Sequence, residues 1–307
     1  MRRSRHTLVF LTGLCLLAGT QAALSAAPGP YLAGLRRLTE SQYRNSISDI
    51  FGPDILVQGK FEPDQRVGGL LAASGSTLSI TPAGFEGYAK IADGIARQVV
   101  DEKHRAKLLA CTPKSATASD RACAGQIFEK IGLQLFRRPL TSEELKARLD
   151  AADAVTKQSG NFYTGIRYSL TTLLSAPDFL FRTEVAVPAG KAYTLDGYSR
   201  AARLSYMLWD TTPDEGLLTA ARTGALDSDA GVKTEVARLM ASPRLEVGMR
   251  SFFSDFLQLD TLGTITKDPT IYPKFNEEIA NAAREETLRT TIDLTLKKDG
   301  DFRDLFV

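Results

Sequence analysis

The sequence is poor in the residues that hold metals and redox cofactors. Its 307 residues include two histidines, three cysteines, four methionines and one tryptophan. No Cys-x-x-Cys-His segment occurs, so the chain offers no signal for covalent haem attachment. Gly-x-Ser-x-Gly, His-Glu-x-x-His and the glycine-rich phosphate loop are also missing. Serine hydrolysis, zinc proteolysis and nucleotide binding therefore lack their local signals.

The chain also lacks a strong net charge of either sign. It has 38 Lys and Arg residues against 36 Asp and Glu residues. Without the leader arginines Arg2, Arg3 and Arg5, the formal charge falls to about −1. No basic footprint for a nucleic acid remains, so the sequence predicts no nucleic-acid partner.

The N-terminus has the parts of a secretory signal peptide. Basic residues precede the apolar run TLVFLTGLCLLAG, and the small residues TQAALSAA follow it before Pro28. Cleavage after Ala27 or after Ala22 fits this pattern, and we predict a signal peptide over residues 1–27. The apolar run is short for a bilayer span. We expect an extracytoplasmic protein, periplasmic or secreted, without a transmembrane segment after cleavage; twin-arginine export is an alternative route.

Two cysteines, Cys111 and Cys123, remain after removal of a leader that contains Cys15. They flank a short polar segment, and cysteine pairs of exported proteins are commonly oxidised. We predict a disulfide between them. The alternative is a metal or reactive-thiol site, for which His104 is the only histidine outside the leader.

Most of the chain has the punctuation and periodicity of helices. Several Ser and Thr residues are followed by Gln or Glu three positions later, or directly by proline, as at helix N-termini. Apolar stripes at helical spacing follow them, and no convincing strand pair is visible. We predict an all-α fold, an irregular multi-helix bundle. The capping boxes are Thr39–Gln42, Thr141–Glu144 and Thr212–Glu215, and the cap–proline pairs are Thr81-Pro82, Thr212-Pro213 and Ser242-Pro243.

Three longer segments complete the predicted architecture. Residues 52–81 are rich in Gly, Pro and small polar residues, which predicts a long loop near the N-terminus. Residues 168–181 are apolar almost all round, which predicts a central helix. Residues 276–298 are polar and uninterrupted, and they predict one long helix that ends in lysines.

The segment LSYMLWDTTPDEGLL, residues 204–218, contains Trp209 and three carboxylates. We predict that Thr212 caps a helix and that Asp214 and Glu215 lie in its first turn, where the helix dipole favours negative charge. Trp209 would then fill the core. The segment is predicted to join two helices, and a catalytic acid–base pair is the alternative.

SRAARLSYMLWDTTPDEGLL also resembles the signature of a family of secreted bacterial domains of unknown function, first catalogued in planctomycetes. LMASPRLEVGMRSFFSDFLQLDTL resembles the next helices of the same domain. FEKIGLQLFRRPLTSEELKARLDAA and LRRLTESQYRNSISDIFG resemble two domains that usually precede it. The resemblance implies three consecutive helical domains over residues 28–110, 111–188 and 189–307, the last of them incomplete at its C-terminus.

The resemblance implies a neighbouring domain rather than a catalysed reaction. Proteins with these domains usually carry a cytochrome c-like domain further along the chain, whereas this sequence stops at Val307 without a haem motif. We expect no cofactor in this chain and place any haem c on a missing downstream segment or on a partner. The resemblance transfers no catalytic residues to this sequence.

Glu285 and Glu286 are the main functional candidates, because Arg284 and these two glutamates match an Arg-Glu-Glu segment of the resembling domain. One of the two adjacent positions is expected to face inward. A buried glutamate would need Arg203, Arg250 or Arg284 as its partner. We keep Glu285, Glu286 and Arg203 as candidates, with a structural ion pair as the simpler role.

Two arginine pairs, Arg36-Arg37 and Arg137-Arg138, each precede a capping box. We predict that they lie at helix ends, where they satisfy the last carbonyl groups of one helix and the acids of the next. A site for an anionic ligand is the alternative.

From these observations we predict an exported module of unknown molecular function, a scaffold or docking unit for a c-type cytochrome domain or partner. One alternative is the haem-free part of an extracytoplasmic oxidoreductase. Another is an envelope- or polysaccharide-binding module, for which a cleft lined by Tyr31, Tyr88 or Tyr163 would be favourable. The sequence leaves open whether the protein is an enzyme.

Overall fold

The computed structural model describes residues 29–71, 79–298 and 300–306. The predicted signal peptide lies outside these residues, as do residues 72–78 of the predicted loop over residues 52–81. The extent of that loop stays a prediction. Within the described ranges, no helix combines the length and the apolar character needed to cross a membrane.

Helices make up most of the described chain. Four shorter helical turns accompany them: 3-10 turns at Ala225–Asp227, Leu259–Thr264 and Phe302–Phe306, and a π-helical turn at Asp293–Lys297. The α-helices are α1 (Glu40–Phe51), α2 (Pro82–Val100), α3 (Arg105–Leu108), α4 (Arg121–Phe136), α5 (Ser142–Ser159), α6 (Phe162–Leu174), α7 (Pro177–Leu180), α8 (Gly197–Leu208), α9 (Glu215–Arg222), α10 (Asp229–Met240), α11 (Leu245–Phe256) and α12 (Glu277–Ile292).

A small antiparallel sheet corrects the all-α prediction. Strand β1 (Tyr31–Arg37) pairs with β2 (Phe181–Ala189), which pairs with β3 (Ala192–Leu195). β1 and β2 are far apart in the sequence, so no turn between them signals their pairing. The two-residue turn from β2 to β3 begins at Gly190, with φ at +63°, as hairpin turns of this length require. Pro188 weakened the strand pattern of β2.

Several helix starts lie where the sequence predicted them. Thr39 and Thr141 both form complete capping boxes. The hydroxyl of Thr81 accepts the Gly84 N–H at 3.0 Å, and Pro82 opens α2. These caps orient α1, α2 and α5 because each satisfies amide groups that the first helical turn leaves unpaired.

The main core lies between α1, α2, α4, α6 and α7. Its central members are fully buried, including Ile47 of α1, Ile95 of α2, Phe128 of α4 and Leu170 of α6. The helix predicted over residues 168–181 is shorter than expected, because α6 ends at Leu174 and residue 181 begins β2. The prediction of a central helix is nevertheless confirmed by the burial of α6.

Two smaller cores belong to the C-terminal part of the chain. Trp209 is buried in one of them against Leu217, Leu226 and Leu239, and its indole N–H donates to the Leu239 carbonyl at 3.0 Å. The other core joins α11 to α12 through Phe253, Leu259, Leu288 and Ile292.

The predicted disulfide between Cys111 and Cys123 is confirmed, with the two Cα atoms 5.4 Å apart. It ties the segment that follows α3 to the first turn of α4. Asp120 caps the same turn by accepting the Cys123 N–H at 3.0 Å.

One of the two predicted arginine pairs ends a strand, and the other follows a helix. Arg36 and Arg37 end strand β1, so the prediction of a helix end there is wrong. Arg137 follows α4 in the left-handed conformation and is buried. Its guanidinium donates to backbone carbonyl groups around the start of β2, including that of Phe181 at 2.7 Å. Arg138 pairs with Glu144 at 2.8 Å, as predicted for the acid of the next helix.

Candidate functional site: a cleft between α1 and the C-terminal helices

A cleft of about 930 Å³ opens between the N-terminal and C-terminal parts of the chain. Its walls come from the start of α1, from the segment 64–71, from the end of α8, and from α11 and α12. Small-molecule sites are commonly about 300–1,000 Å³. The size and the polar lining of the cleft make it the candidate functional site.

Asp210 forms part of the cleft wall just after α8. It is 5% exposed, and its φ of +55° is a conformation that aspartate tolerates better than most residues. Ser41 and Asn45 of α1 donate to its Oδ2 atom at 3.0 and 3.3 Å. Asn45 also donates to the Asp210 carbonyl at 3.1 Å. The carboxyl group therefore connects α1 to the turn between α8 and α9.

Burial raises the pKa of Asp210 above the ordinary value of an aspartate. Hydrogen bonds from Ser251, Gln42 and Ser41 act in the opposite direction without cancelling the effect of burial. Because Ser251 belongs to α11, three parts of the chain meet at this one carboxyl group. Burial has this effect because a charged carboxylate loses more hydration than a neutral carboxyl group does.

The other two acids of the segment 204–218 lie at a helix start, as predicted. However, the cap is Asp214 rather than Thr212: its carboxylate accepts the Leu217 N–H at 2.8 Å. The hydroxyl of Thr212 instead donates to the Gln134 carbonyl at 2.9 Å, so the box predicted there is wrong. Burial would raise the pKa of Asp214, but hydrogen bonds from Arg238 and from the helix amide hold it below its ordinary value.

Ion pairs line most of the cleft. Arg66 lies between Asp255, at 2.6 Å, and Asp260. Arg44 pairs with Glu40 at 2.8 Å along α1. Because these charges neutralise one another, the cleft presents many hydrogen-bonding atoms without a strong field of one sign.

Exposed apolar side chains complete the lining. Met207 is 67% exposed, and Val247 and Phe252 are about half exposed. They come from the end of α8 and from α11. The cleft therefore has apolar surface beside its ion pairs.

The structure separates the three predicted candidates. Glu285 lines the cleft without being buried, and it pairs with Arg250, one of the three arginines considered from the sequence, and with Arg289 at 2.8 Å. These cations hold its pKa below the ordinary value, the hydrogen bond from Arg289 contributing most. Glu286 is exposed and does not contribute to the lining.

Arg203 pairs with the buried Glu184 of β2 at 2.6 Å and is not part of the cleft lining. The arrangement supports the sheet, because it neutralises a carboxylate that is 5% exposed. A functional role for Arg203, as for Glu285 and Glu286, stays a prediction.

Sequence reasoning missed Asp210, Asn45 and Asn281 as cleft residues. One signal was available: Asn281, Arg284 and Glu285 share a helix face at spacings of three and four. For Asp210 no local signal exists, because its partners Ser41 and Asn45 lie 169 and 165 positions away in the sequence.

Among residues 29–71, 79–298 and 300–306, no group of three or more His, Cys, Asp and Glu side chains is placed to hold a metal ion. The aromatic residues proposed from the sequence for a saccharide cleft are elsewhere. Tyr31 packs edge-on against Tyr193, Tyr88 is buried in the main core, and Tyr163 lies under Arg105.

Three family models match the chain in succession. They are described as proteins of unknown function: DUF1587 over residues 36–101, DUF1595 over residues 123–184 and DUF1592 over residues 195–307. No curated protein and no solved structure matches the chain. The cleft lies between the first and third matched regions. The chain is thus a member of the planctomycete-type proteins, with three consecutive domains of unknown function.

Proposed function

We propose that the protein is a docking unit for a c-type cytochrome or a cytochrome c-like domain. The observation that carries this proposal is a row of exposed and partly exposed aromatic side chains on the DUF1592 region. We call it the aromatic row, and it consists of Phe252, Phe256, Phe302 and Phe306.

The rings of the aromatic row contact one another in sequence. Phe252 and Phe256 stack with centroids 5.8 Å apart, Phe256 meets Phe302 at 5.9 Å, and Phe302 meets Phe306 at 5.4 Å. Phe256 is 45% exposed and Phe306 is 66% exposed. Contiguous exposed apolar surface of this kind is typical of protein interaction sites, and aromatic residues are enriched in their centres.

The size of the row fits a transient partner. A fully covered aromatic side chain buries about 150–250 Å², so four partly exposed rings supply a few hundred Å². Weak redox encounters have small interfaces, below about 1,200 Å² in total. A redox partner must dissociate after each encounter, and a small apolar patch permits that.

The choice of partner rests on the resemblance to domains that accompany cytochrome c-like domains. The chain has no Cys-x-x-Cys-His motif of its own, so we place the haem on the partner. The disulfide between Cys111 and Cys123 supports an extracytoplasmic location, because such bonds persist in oxidising compartments.

The test is a binding measurement with the double variant F256A/F306A. We expect the variant to bind a purified c-type cytochrome domain from the same organism at least tenfold more weakly, the loss typical of two central interface residues. Y168A is the matched control, because Tyr168 is a half-exposed aromatic residue of α6 outside the row. Surface plasmon resonance with immobilised cytochrome would measure all three proteins. Equal binding by the double variant, or no binding by the natural chain, would contradict the proposal.

A further inference from the structure

We infer that the cleft between α1, α11 and α12 binds a neutral oligosaccharide, a ligand different in kind from the docking partner. Neither the family descriptions nor the aromatic row assigns a ligand to this cleft. The inference depends on the balance of charge, the hydrogen-bonding groups and the apolar surface of the lining.

The charge balance argues against an ionic ligand. Four arginines and six acidic residues line the cleft, and many are paired within it, as Arg66 is with Asp255 and Arg250 with Glu285. The two acids in excess present little charge to a ligand: Asp64 pairs at 3.1 Å with Arg37 from outside the lining, and Asp210 is buried. An anionic ligand would meet the carboxylates, and a cationic ligand would meet the guanidinium groups. A neutral ligand avoids both repulsions.

The hydrogen-bonding groups suit a ligand with many hydroxyl groups. A hydroxyl group both donates and accepts, and a paired carboxylate or guanidinium still has free lone pairs or N–H groups to offer it. On α12 the side chains of Asn281, Arg284 and Glu285 line the cleft from one helix face. They place an amide, a guanidinium and a carboxylate side by side. Ser254 of α11 adds a hydroxyl group, which accepts from Arg284 at 3.2 Å.

The apolar surface suits the carbon–hydrogen faces of sugar rings. Phe252 is about half exposed and Met207 is largely exposed, and both line the cleft. An aromatic face beside fixed polar groups is the composition expected of a site that orients a ligand of mixed polarity. The cleft volume of about 930 Å³ lies near the upper end of the range for small-molecule sites, which favours a short oligosaccharide over a single sugar.

The cleft walls are held in place without a ligand. Ser41 and Asn45 of α1 donate to the carboxyl group of Asp210, and the hydroxyl of Thr211 donates to Asp49 of the same helix at 2.6 Å. These bonds fix α1 to the turn that follows α8, so little ordering of this part of the cleft is needed when a ligand enters. Such preorganisation favours binding.

The test is isothermal titration calorimetry with cellohexaose, xylohexaose and chitotetraose as neutral probes, and with polygalacturonate and hepta-lysine as charged comparators. We expect at least one neutral probe to bind and the charged comparators to bind more weakly. N281A and E285A should weaken the binding at least fivefold. E286A is the matched control, because Glu286 is adjacent to Glu285 but outside the lining, and it should bind as the natural chain does.

Three results would overturn the inference. The first is no heat from any neutral probe up to about 5 mM, a concentration within the millimolar range of weak binding. The second is an equal loss of binding in E286A and E285A, and the third is preferential binding of a charged comparator. Thermal melting would establish that all variants are folded. The variant F306A leaves Phe252 and its stacking partner Phe256 in place and should retain saccharide binding, so failure of this inference and failure of the docking proposal can be told apart.

Discussion

Ser41 donates a hydrogen bond of 3.0 Å to the carboxyl group of Asp210, although 169 positions separate the two residues in the sequence. The side-chain amide of Asn45 donates to both the carboxyl group and the backbone carbonyl of the same aspartate. The DUF1587 and DUF1592 regions are therefore joined at one buried group. The shape of the cleft depends on that junction.

The buried Asp210 predicts that the stability of the natural chain depends on pH differently from that of D210N. Because burial raises the pKa of Asp210 in the folded chain above the unfolded value of 3.8, the folded state binds the proton more tightly. The stability that Asp210 contributes is fully present below that unfolded value and is lost as the pH rises through the folded pKa. Asparagine stays neutral, so we expect the stability of the natural chain to fall relative to D210N over this interval.

Urea unfolding of both proteins between about pH 3.5 and about pH 7 would measure this difference. The comparison cancels the effects of the other acids, which both proteins share. D210A is the second variant: it removes the carboxyl acceptor of Ser41 and Asn45 and places alanine at a φ of +55°, so it should lose about 1–3 kcal/mol at every pH. Parallel stability curves for the natural chain and D210N would contradict the prediction.

Gly248 lies where α11 packs closely against the end of α8, and this contact predicts a second effect on stability. A Cβ atom at this position would lie 2.0 Å from the Leu208 carbonyl oxygen. G248A should therefore force the two backbones apart and cost about 1–3 kcal/mol. The free energy of unfolding from chemical denaturation checks this value.

Gly125 provides the control for that substitution. It lies inside α4, and no heavy atom is within 4 Å of an added Cβ atom. G125A should stabilise the chain by about 0.5–1 kcal/mol, because alanine favours a helix interior. If G248A also stabilised the chain, the close approach of α11 to α8 would be wrong.

The two arginines after α4 predict a contrast in stability. Arg137 is 3% exposed and donates to the Phe181 carbonyl at 2.7 Å and to the Tyr206 hydroxyl at 3.2 Å. R137M should leave these groups without their donor and cost about 2–3 kcal/mol. R138M should cost about 1 kcal/mol or less, since Arg138 forms partly exposed ion pairs. Equal losses in the two variants would contradict the distinction.

Local sequence signals predicted the helices well and the contacts between distant segments poorly. The caps at Thr39 and Thr141 depend on residues three positions away, and the structure confirms both. The helix predicted over residues 276–298 is also present: α12 begins at Glu277 after its cap Asn276 and ends at Ile292, where the π-helical turn follows. By contrast, the pairing of β1 with β2 depends on residues that the sequence separates widely, so the sheet was missed.

The cleft shows the same division between local and distant information. The resemblance made Glu285 and Glu286 candidates, and one of these adjacent positions was expected to face inward; Glu285 does line the cleft. The sequence around Glu285 could not identify which other elements would form the cleft with α12. In the segment 204–218, capping chemistry accounted for Asp214, whereas the role of Asp210 arises from α1 and could not be derived from neighbouring residues.

The disulfide predicts the redox dependence of stability. Cys111 and Cys123 are 12 positions apart, and cross-linking a loop of this size restricts the unfolded chain enough to contribute about 2–3 kcal/mol. Reduction with dithiothreitol should therefore lower the free energy of unfolding by that amount. The variant C111S/C123S should show the same loss without the reductant and no further loss with it. A reductant effect of equal size in the variant would show that the loss has another source, because the variant has no bond to break.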